Sequence, residues 1–391
     1  MYSEKILKAK NFNDNRQNKK STYYTHGFHP YPAKFTPQII NRFFNLYCKQ
    51  DFIILDPFCG SGTTLVESVL NGMDSVGIDL NPIAYIISRA KSNHYTTEEI
   101  QSIKKFISEI QPQSNNDLFS QNNIILKNEN KISIPDFPNR NHWFQENVSY
   151  ELAILKKKID DIENKNIKNL LYCAFSKIIV KVSNQDSEVR YSAKKKNHSD
   201  GIVFSSFIDT VSNYLQVLNT KEHLIIGKAE VYNGDTYEVL KKLSENHFDF
   251  VITSPPYINT FDYYLYHKQR MFWLGYDHRP VRQKEIGNHH RIDTKKFEVA
   301  KSEYIDSMTQ IINELSRVSK PNSYFVMIIG DGIVDGTTID MSQVIAEICE
   351  YSNYSIEKIE SVNLSDITRS FNKKFSNAPK KEHTITLKNC K

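Results

Sequence analysis

An apolar segment that leads into two closely spaced glycines constrains the fold of this chain more than any other feature. Residues 52–56 read Phe-Ile-Ile-Leu-Asp, residues 57–62 read Pro-Phe-Cys-Gly-Ser-Gly, and an amphipathic helical pattern follows over residues 63–71. Glycines let the backbone approach a ligand closely, and the first turn of the following helix has free N–H groups to offer it. The pattern therefore predicts a strand, a ligand-binding turn and a helix, as in the opening unit of a doubly wound α/β fold.

A second strand that ends in an acid follows about twenty residues later, a spacing typical of nucleotide-binding sheets. It reads Val-Gly-Ile-Asp over residues 76–79 and continues into Leu-Asn-Pro. An acid at this place binds ribose hydroxyls, whereas the alternative for Asp79 is to cap the helix that begins near Pro82. The turn lacks the third glycine of Gly-x-Gly-x-x-Gly and the lysine of a P-loop. Both absences argue against a dinucleotide or a nucleoside triphosphate as the ligand.

The other informative segment is a proline-rich loop late in the chain. The apolar run 248–252 is followed by Thr-Ser-Pro-Pro-Tyr at residues 253–257. Prolines remove backbone donors and fix φ, so the carbonyls of this loop point in fixed directions. Such a loop can accept hydrogen bonds from a planar amino group while the tyrosine ring stacks on the same base. The segment therefore predicts chemistry on the exocyclic amino group of a nucleobase.

Four segments together resemble the amino-methyltransferase family of DNA methyltransferases. Two of them are Asp-Pro-Phe-Cys-Gly-Ser-Gly-Thr-Thr at residues 56–64 and Ser-Pro-Pro-Tyr at residues 254–257. The third, His-Pro-Tyr-Pro-Ala-Lys-Phe-Thr-Pro at residues 29–37, is similar to the family motif that closes over the methionine end of S-adenosylmethionine. The fourth, Asn-Gly-Asp-Thr at residues 233–236, resembles the loop that holds the adenine amino group.

The resemblance implies S-adenosyl-L-methionine as the cofactor and implies roles for individual residues, with no metal. The implied cofactor-binding residues are Tyr31, Lys34, Thr36, Asp56, Phe58, Gly60, Gly62, Thr63, Asp79, Asn81 and Asp235. The implied catalytic residues are Ser254, Pro255, Pro256, Tyr257 and Asp262. Asp262 is proposed as a proton acceptor by proximity only, and Asp235 has a plain turn residue as its alternative. Serine at position 254 resembles the cytosine-N4 branch more than the adenine-N6 branch, which usually carries Asp or Asn there.

Strand and helix patterns predict an α/β fold of the S-adenosylmethionine-dependent methyltransferase type, a Rossmann-like seven-stranded sheet with a helical insertion. The resemblance spans about residues 28–95 and 228–390. Strands are predicted at residues 52–56, 75–79, 229–233, 248–252, 323–330, about 355–362, and 383–388, the last two as a hairpin-like pair. A helix with apolar positions at helical spacing is predicted over residues 37–47.

Composition divides the chain into three parts. Residues 1–24 are rich in Lys, Asn and Gln and are interpreted as a flexible arm, whereas residues 25–95 and 228–391 form the predicted catalytic domain. Residues 96–227 are predicted to be a mostly helical insertion and a candidate target-recognition region. Within the insertion we predict a loop over residues 111–131 and helices over residues 143–162, 165–182 and 203–218.

Two basic stretches are candidates for contact with nucleic acid. Residues 187–196 end in three lysines and are either a phosphate-binding run or a solvated loop. Residues 276–300 carry many Arg, Lys and His side chains and are interpreted as a mobile loop that reads bases or phosphates. Whether the insertion or residues 258–300 read the bases stays open at this level.

Charge and cysteine content limit the class of protein only weakly. The 391 residues carry a formal net charge of +5, which is compatible with a nucleic-acid partner. The five cysteines are scattered, without a CxxC pair, which favours a reducing compartment and no zinc site. With no signal peptide and no apolar run of membrane-spanning length, a cytoplasmic protein without a membrane partner is expected.

The predicted function is site-specific methylation of the N4 amino group of a flipped-out cytosine in double-stranded DNA. The expected setting is a bacterial restriction-modification system with a cognate endonuclease for the same site; the oligomeric state stays open. The alternatives are adenine-N6 methylation of DNA, methylation of RNA or of a protein side chain, and a binding protein that has lost catalysis.

Overall fold

The computed structural model describes residues 20–32, 34–111, 132–188, 190–220, 227–258, 262–288, 297–334, 337–363 and 380–391. The strands are β1 Ile53–Asp56, β2 Asp74–Asp79, β3 Gln185–Ser187, β4 Arg190–Ala193, β5 Ala229–Asn233, β6 Phe248–Thr253, β7 Ser319–Gly330, β8 Gly332–Val334, β9 Thr337–Ile339, β10 Tyr354–Asn363 and β11 Lys381–Asn389. The helices are α1 Pro37–Tyr47, α2 Thr63–Leu70, α3 Pro82–Ser92, α4 Thr97–Ile110, α5 Arg140–Trp143, α6 Glu146–Asp160, α7 Lys165–Val182, α8 Ile202–Leu218, α9 Thr236–Leu240, α10 Tyr263–Leu274, α11 His278–Lys284, α12 Phe297–Val318 and α13 Met341–Glu350.

The main sheet has seven strands in the order β10-β11-β7-β6-β1-β2-β5. The five strands from β7 to β5 are parallel, whereas β11 runs antiparallel to both of its neighbours, β7 and β10. The seven-stranded α/β fold predicted from the sequence is thus confirmed, including the pairing of its last two strands. The chain builds outward from β1 to β2 and β5, then returns to β6 and β7 on the other side of β1. This reversal places a crevice between the carboxyl ends of β1 and β6, where open α/β sheets bind their ligands.

The helices of residues 97–218 are not a separate body. Their buried apolar side chains form one cluster with those of α3 and α10, which include Ile87 and Trp273. Because α3 follows β2 and α10 follows the proline-rich loop, the insertion packs directly against the elements that lead out of the crevice.

Several predicted boundaries differ from the structure. The arm predicted over residues 1–24 ends earlier, because Tyr24 is buried and begins a 3-10 helix; residues 1–19 lie outside the described part of the chain. The helix predicted over 143–162 is interrupted by extended backbone at Phe144 and Gln145, which separates α5 from α6.

The two basic stretches also differ from their sequence-based interpretation. The hairpin of β3 and β4, which overlaps the stretch 187–196, was not predicted. Residues 278–284 form a helix with Val281 buried, so the predicted mobile loop 276–300 begins with ordered structure. Most of the predicted loop 111–131, and residues 289–296, lie outside the described residues.

Candidate active site

A cleft of about 930 Å³, part of it open to solvent, lies at the carboxyl ends of β1 and β6. The predicted site residues that line it are Tyr31, Lys34, Asp56, Phe58, Gly60, Thr63, Asp79, Asn81, Asp235, Ser254 and Pro256. The remaining predicted residues, which lie outside this lining, are Thr36, Gly62, Pro255, Tyr257 and Asp262. The fold therefore brings five segments that are distant in sequence to one place.

The glycine turn after β1 has a backbone that side chains rarely adopt. Gly60 and Gly62 have φ values of +49° and +75°. A Cβ at Gly60 would lie 3.1 Å from the ring of Tyr31, and a Cβ at Gly62 would lie 2.8 Å from Cβ of Ser88 in α3. The absence of a side chain at Gly60 thus leaves room for the ring of Tyr31 beside the turn. The absence of one at Gly62 lets α2 and α3 pack closely together.

Asp79 sits at the carboxyl end of β2 and closes the turn. Its carboxylate accepts the backbone N–H groups of Gly60 and Asn81, each at 2.8 Å. The cap of α3 is Asn81, whose side-chain oxygen accepts the N–H of Ile83 at 2.9 Å. Because Asn81 caps the helix, the capping alternative for Asp79 is wrong, and its carboxylate is left facing the cleft.

The side-chain nitrogen of Asn81 supplies an independent sign of a ligand. It is buried, and it has no hydrogen-bond partner among the residues that the structure describes. A buried donor without a partner costs about 1–3 kcal/mol, which a bound ligand with an acceptor oxygen would offset. Asp79 and Asn81 together offer acceptors and a donor of the kind that ribose hydroxyls require.

The affinity for cofactor is expected to depend on pH through Asp79. Burial raises the pKa of Asp79 to about 6, so its carboxylate becomes protonated as the pH falls through that value. A protonated carboxyl accepts ribose hydroxyls less well, and we expect the affinity for S-adenosylhomocysteine to fall toward tenfold per pH unit below about 6. Calorimetric titrations from pH 8 to pH 5 would measure this.

The variant Asp79→Asn is the control for that titration. It should bind about 10- to 100-fold more weakly at pH 8, the value of a hydrogen bond to a charged group, and its affinity should not change further toward pH 5. Burial also raises the pKa of Asp56 to about 6, so a pH dependence that persists in the variant would reassign the effect to Asp56.

Asp56 and Asp235 are held by contacts between the motifs. Asp56 accepts the hydroxyl of Thr253 at 2.6 Å, which ties the end of β1 to the end of β6. Asp235 caps α9 by accepting the N–H of Glu238 at 3.3 Å, and it also lines the cleft. Its neighbour Thr236 donates to the carbonyl of Pro57 at 2.9 Å and joins this loop to the glycine turn.

The segment before α1 covers the other side of the turn. Tyr31 packs against Gly60, and its ring lies 6.1 Å from that of Tyr263, nearly parallel to it. Lys34 lines the cleft while its amino group donates to the carbonyl of His26 at 3.2 Å. Burial lowers the pKa of Lys34. Thr36, predicted to meet the cofactor, instead takes the N-cap position of α1.

The proline-rich loop presents only part of its motif to the cleft. Ser254 and Pro256 line it, whereas Pro255 is buried. The ring of Tyr257 lies against Gly330 of β7, where a Cβ would approach it to 2.9 Å. The hydroxyl of Ser254 donates to that of Tyr257 at 3.3 Å. The loop is thus held by its own side chains and by a glycine on the neighbouring strand.

Sequence reasoning missed one acidic residue that lines the cleft. Asp262 lies outside the cleft lining, whereas Glu285 is in it. Glu285 accepts the backbone N–H groups of Tyr263 at 2.8 Å and Tyr264 at 3.3 Å, so it caps α10 from a distant part of the chain. No sequence motif marked Glu285, which follows the basic residues Arg282 and Lys284. Tyr263, whose ring lies near that of Tyr31, also lines the cleft.

Comparisons with known proteins give the following similarities. A family described as DNA methylase matches residues 2–89. The Type II methyltransferase M.MvaI of Kocuria varians is 25% identical, over 90% of this chain and 87% of its own length. M.MjaII of Methanocaldococcus jannaschii is 26% identical over 88% of this chain, and M.BsoBI of Geobacillus stearothermophilus is 28% identical over 59% of it. The matched parts span 59% and 48% of these last two relatives.

Among solved structures, a SAM-dependent methyltransferase of Methanosarcina mazei shares 10% identity with a TM-score of 0.33, over 92% of this chain and 98% of that one. The rRNA methyltransferase AviRa of Streptomyces viridochromogenes shares 8% identity with a TM-score of 0.32, over 93% and 89%. Within the described ranges, the helices are too short or too polar to cross a membrane.

The cleft fits S-adenosyl-L-methionine by its own chemistry. Gly60 lets the backbone approach a ligand, and Lys34 suits a carboxylate. Asp79 and the amide nitrogen of Asn81, which lacks a partner among the described residues, suit ribose hydroxyls. These residues lie in segment 2–89, which the family model matches. The proline-rich loop 254–257, called the target loop below, lies outside that segment and contributes Ser254 and Pro256 to the same cleft. The chain is therefore similar to the DNA methylase family over residues 2–89 and to Type II methyltransferases over most of its length.

Proposed function

We propose that this protein transfers a methyl group from S-adenosyl-L-methionine to the N4 amino group of a cytosine in double-stranded DNA. The observation that carries the proposal is Ser254, which stands at the carboxyl end of β6 and lines the cofactor cleft. Serine is the residue that the cytosine-N4 branch carries at this place. The proposed cofactor residues are those that line the cleft near Gly60 and Asp79.

The hydrogen bonding of Ser254 prepares it for an amino group. A hydroxyl has one proton to donate and two lone pairs. Ser254 donates its proton to the hydroxyl of Tyr257, so its oxygen remains an acceptor for the N–H of the target base. The carbonyl of Pro255 would accept the second N–H, which would orient the nitrogen lone pair toward the cleft.

The cofactor supplies an electrophilic methyl group on a sulfonium. The protein contributes alignment: Ser254 and Pro256 place the base beside the cleft wall formed by Phe58 and Gly60. Holding two reactants in line can remove about 7–11 kcal/mol of a barrier. A cytosine stacked in a duplex cannot reach this cleft, so the target base must flip out of the helix, and Tyr257 would stack on it.

Nucleoside mass spectrometry of unmethylated duplex DNA, incubated with protein and cofactor, tests the proposal. N4-methylcytosine is the expected product. N6-methyladenine would refute the choice of base and retain the amino group as the target, because an adenine amino group can use the same acceptors. A product on RNA and none on DNA would refute the proposed substrate.

The hairpin of β3 and β4 is the part of the insertion that we assign to the duplex. It is tied to α10, the helix that follows the target loop: Glu188 accepts from Arg270 at 2.5 Å, and Tyr191 accepts from Gln269 at 3.0 Å. Lys194 and Lys195, directly after β4, are exposed. The hairpin therefore holds two cations at a fixed distance from the elements that flank the cleft.

Replacing Lys194 and Lys195 together with alanine should weaken DNA binding. Each phosphate contact contributes about 0.9 to the slope of log affinity against log salt concentration, so we expect the slope to fall by up to about 1.8. Fluorescence anisotropy with a duplex at several salt concentrations measures it. The matched control is the exposed pair Lys241 and Lys242, which directly follow α9 and lie outside the cleft lining. Equal losses in both variants would remove the hairpin from the interface.

The family resemblance also suggests the biological setting. We place the protein in a bacterial restriction-modification system, where methylation protects a short site from a cognate endonuclease. Plasmid DNA methylated by the protein should then resist an endonuclease whose site overlaps the methylated sequence. Residues 96–227 are the proposed target-recognition region.

A further inference from the structure

Glu285 is a carboxyl group inside the cleft that the proposed function has not used. It is 7% exposed, and it lines the cleft together with Ser254 and Asp79. One hydrogen bond to each carboxylate oxygen, from Tyr263 and Tyr264, fixes its orientation. A carboxylate can accept about four hydrogen bonds, so lone pairs remain for a group in the cleft.

The position of Glu285 joins the two halves of the site. Two residues later, Gly287 packs on the target loop: a Cβ there would lie 3.2 Å from Cα of Ile258 and 3.4 Å from the carbonyl oxygen of Tyr257. On the cofactor side, Glu285 lines the same cleft as Tyr31 and Asp79. Glu285 thus lies between the residues assigned to the cofactor and those assigned to the base.

Methyl transfer to an amino group leaves a proton to be removed. The S–CH3 bond breaks with its electron pair left on sulfur, and the nitrogen lone pair forms the N–CH3 bond. The nitrogen then carries a positive charge until one of its N–H protons leaves. Neither Ser254 nor the prolines of the target loop can take a proton at neutral pH.

We propose that the carboxylate of Glu285 accepts this proton from the amino nitrogen. The inference rests on the proposed function, since it requires an amino group in the cleft, and it holds for cytosine and adenine alike. Asp262, the earlier candidate, does not reach the cleft lining. The two lysines of the lining, Lys34 and Lys284, are donors when charged.

The electrostatics of the cleft favour a carboxyl group that loses and takes up one proton in each catalytic cycle. Burial raises the pKa of Glu285 to about 8. A positive charge in the cleft favours the ionised carboxylate and lowers that pKa, and loss of the charge during transfer restores the high proton affinity. The ionisable groups around Glu285 are Asp79, Asp262, Tyr31, Tyr263 and Tyr264, and Lys34 and Lys284 share the cleft.

A binding experiment tests this without turnover. Titrating S-adenosylmethionine into the protein at pH 7.5, in buffers of different ionisation enthalpy, measures the protons released on binding. The wild type should release a substantial fraction of one proton more than Glu285→Gln does, and this difference should vanish with S-adenosylhomocysteine, which lacks the sulfonium charge. Equal release by both proteins with both ligands would overturn the proposal.

The second test is the pH dependence of single-turnover methyl transfer. We expect Glu285→Gln to be about 10²- to 10⁴-fold slower and to lose the acidic limb of the wild-type pH profile. The amide oxygen of glutamine can still accept the N–H of Tyr263, so the cap of α10 is partly retained. A variant that keeps the wild-type rate and profile would refute the role of Glu285 alone, whereas a wild-type protein that methylates no DNA would overturn the proposed function as well.

A capping glutamate outside the cleft is the matched control. Glu99 is 8% exposed and accepts the N–H of Thr96 at 3.0 Å at the start of α4. The change Glu99→Gln should lower the melting temperature and leave the pH profile as in the wild type. If it shifted the profile as Glu285→Gln does, the effect would be one of helix capping and the proposal would fail.

Discussion

Replacing Tyr257 with alanine is expected to reduce the single-turnover rate of methyl transfer by about 10³-fold while cofactor affinity stays within about twofold. Base stacking on an aromatic ring contributes about 1–3 kcal/mol, and misplacement of a reacting group by about 1 Å can cost a further 10²-fold. The ring is half-buried against Gly330, and its hydroxyl receives the proton of Ser254, so alanine removes the stacking surface and frees the serine. Rapid-quench assays with saturating DNA would measure the rate.

The variant Tyr257→Phe separates the two contributions. It keeps the ring and removes only the hydroxyl that accepts from Ser254, so we expect a loss of about tenfold or less, the value of one neutral hydrogen bond. Calorimetry with S-adenosylhomocysteine provides the control for the cofactor site. A Tyr257→Ala protein that transfers methyl groups at the wild-type rate would exclude the tyrosine from the target pocket.

Replacing Glu67 with alanine is expected to lower the free energy of unfolding by about 3–5 kcal/mol, the cost of removing one member of a buried polar network. Glu67 lies on α2 with no solvent exposure. Its carboxylate accepts hydrogen bonds from Tyr23 and Asn41 and, at 2.6 Å, from Nε2 of His26. Burial lowers the pKa of His26 to about 4, so the imidazole is neutral at pH 7 and Nε2 must carry the proton.

The same change should weaken cofactor binding. The residues that bond to Glu67 hold the segment that carries Tyr31 and Lys34, and the amino group of Lys34 donates to the carbonyl of His26. Urea denaturation with and without cofactor would measure both effects. The change Glu109→Ala serves as the control. Glu109 is exposed and forms an ion pair with Lys105, so its loss should change the free energy of unfolding by less than about 0.5 kcal/mol. A loss below about 1 kcal/mol for Glu67→Ala would show that water replaces the carboxylate.

Acidification acts on this network through His26. The unfolded imidazole takes up a proton near pH 6.5, whereas the folded one resists until about pH 4. Between these values the unfolded state binds more protons, so stability falls as the pH is lowered from about 6.5 to 4. Asp56 and Asp79, whose pKa values are raised to about 6, make stability rise as the pH falls toward 4. Measuring the free energy of unfolding of the wild type and of Glu67→Ala at several pH values separates the contribution of His26 from theirs.

The sequence alone was sufficient for the elements of the core. The strands of the sheet were predicted within a few residues of their observed ends, and α1 and α7 coincide with their predictions. Such elements are local: their apolar spacing follows from the period of a strand or a helix, and Gly, Pro and Asp mark their ends. The motifs near Gly60, Asp79 and Ser254 were visible for the same reason, since each is a short run at the end of a strand.

Contacts between distant segments were decided only by the tertiary structure. Asn81 rather than Asp79 caps α3, Glu285 rather than Asp262 reaches the cleft, and Tyr257 rests on Gly330 of another strand. The anchoring of the β3–β4 hairpin on α10 was equally invisible in the sequence. Periodicity and spacing report which face of an element is apolar, but they carry no information about which remote side chain meets it. That pairing depends on how the sheet order and the packed helices bring separate parts of the chain together.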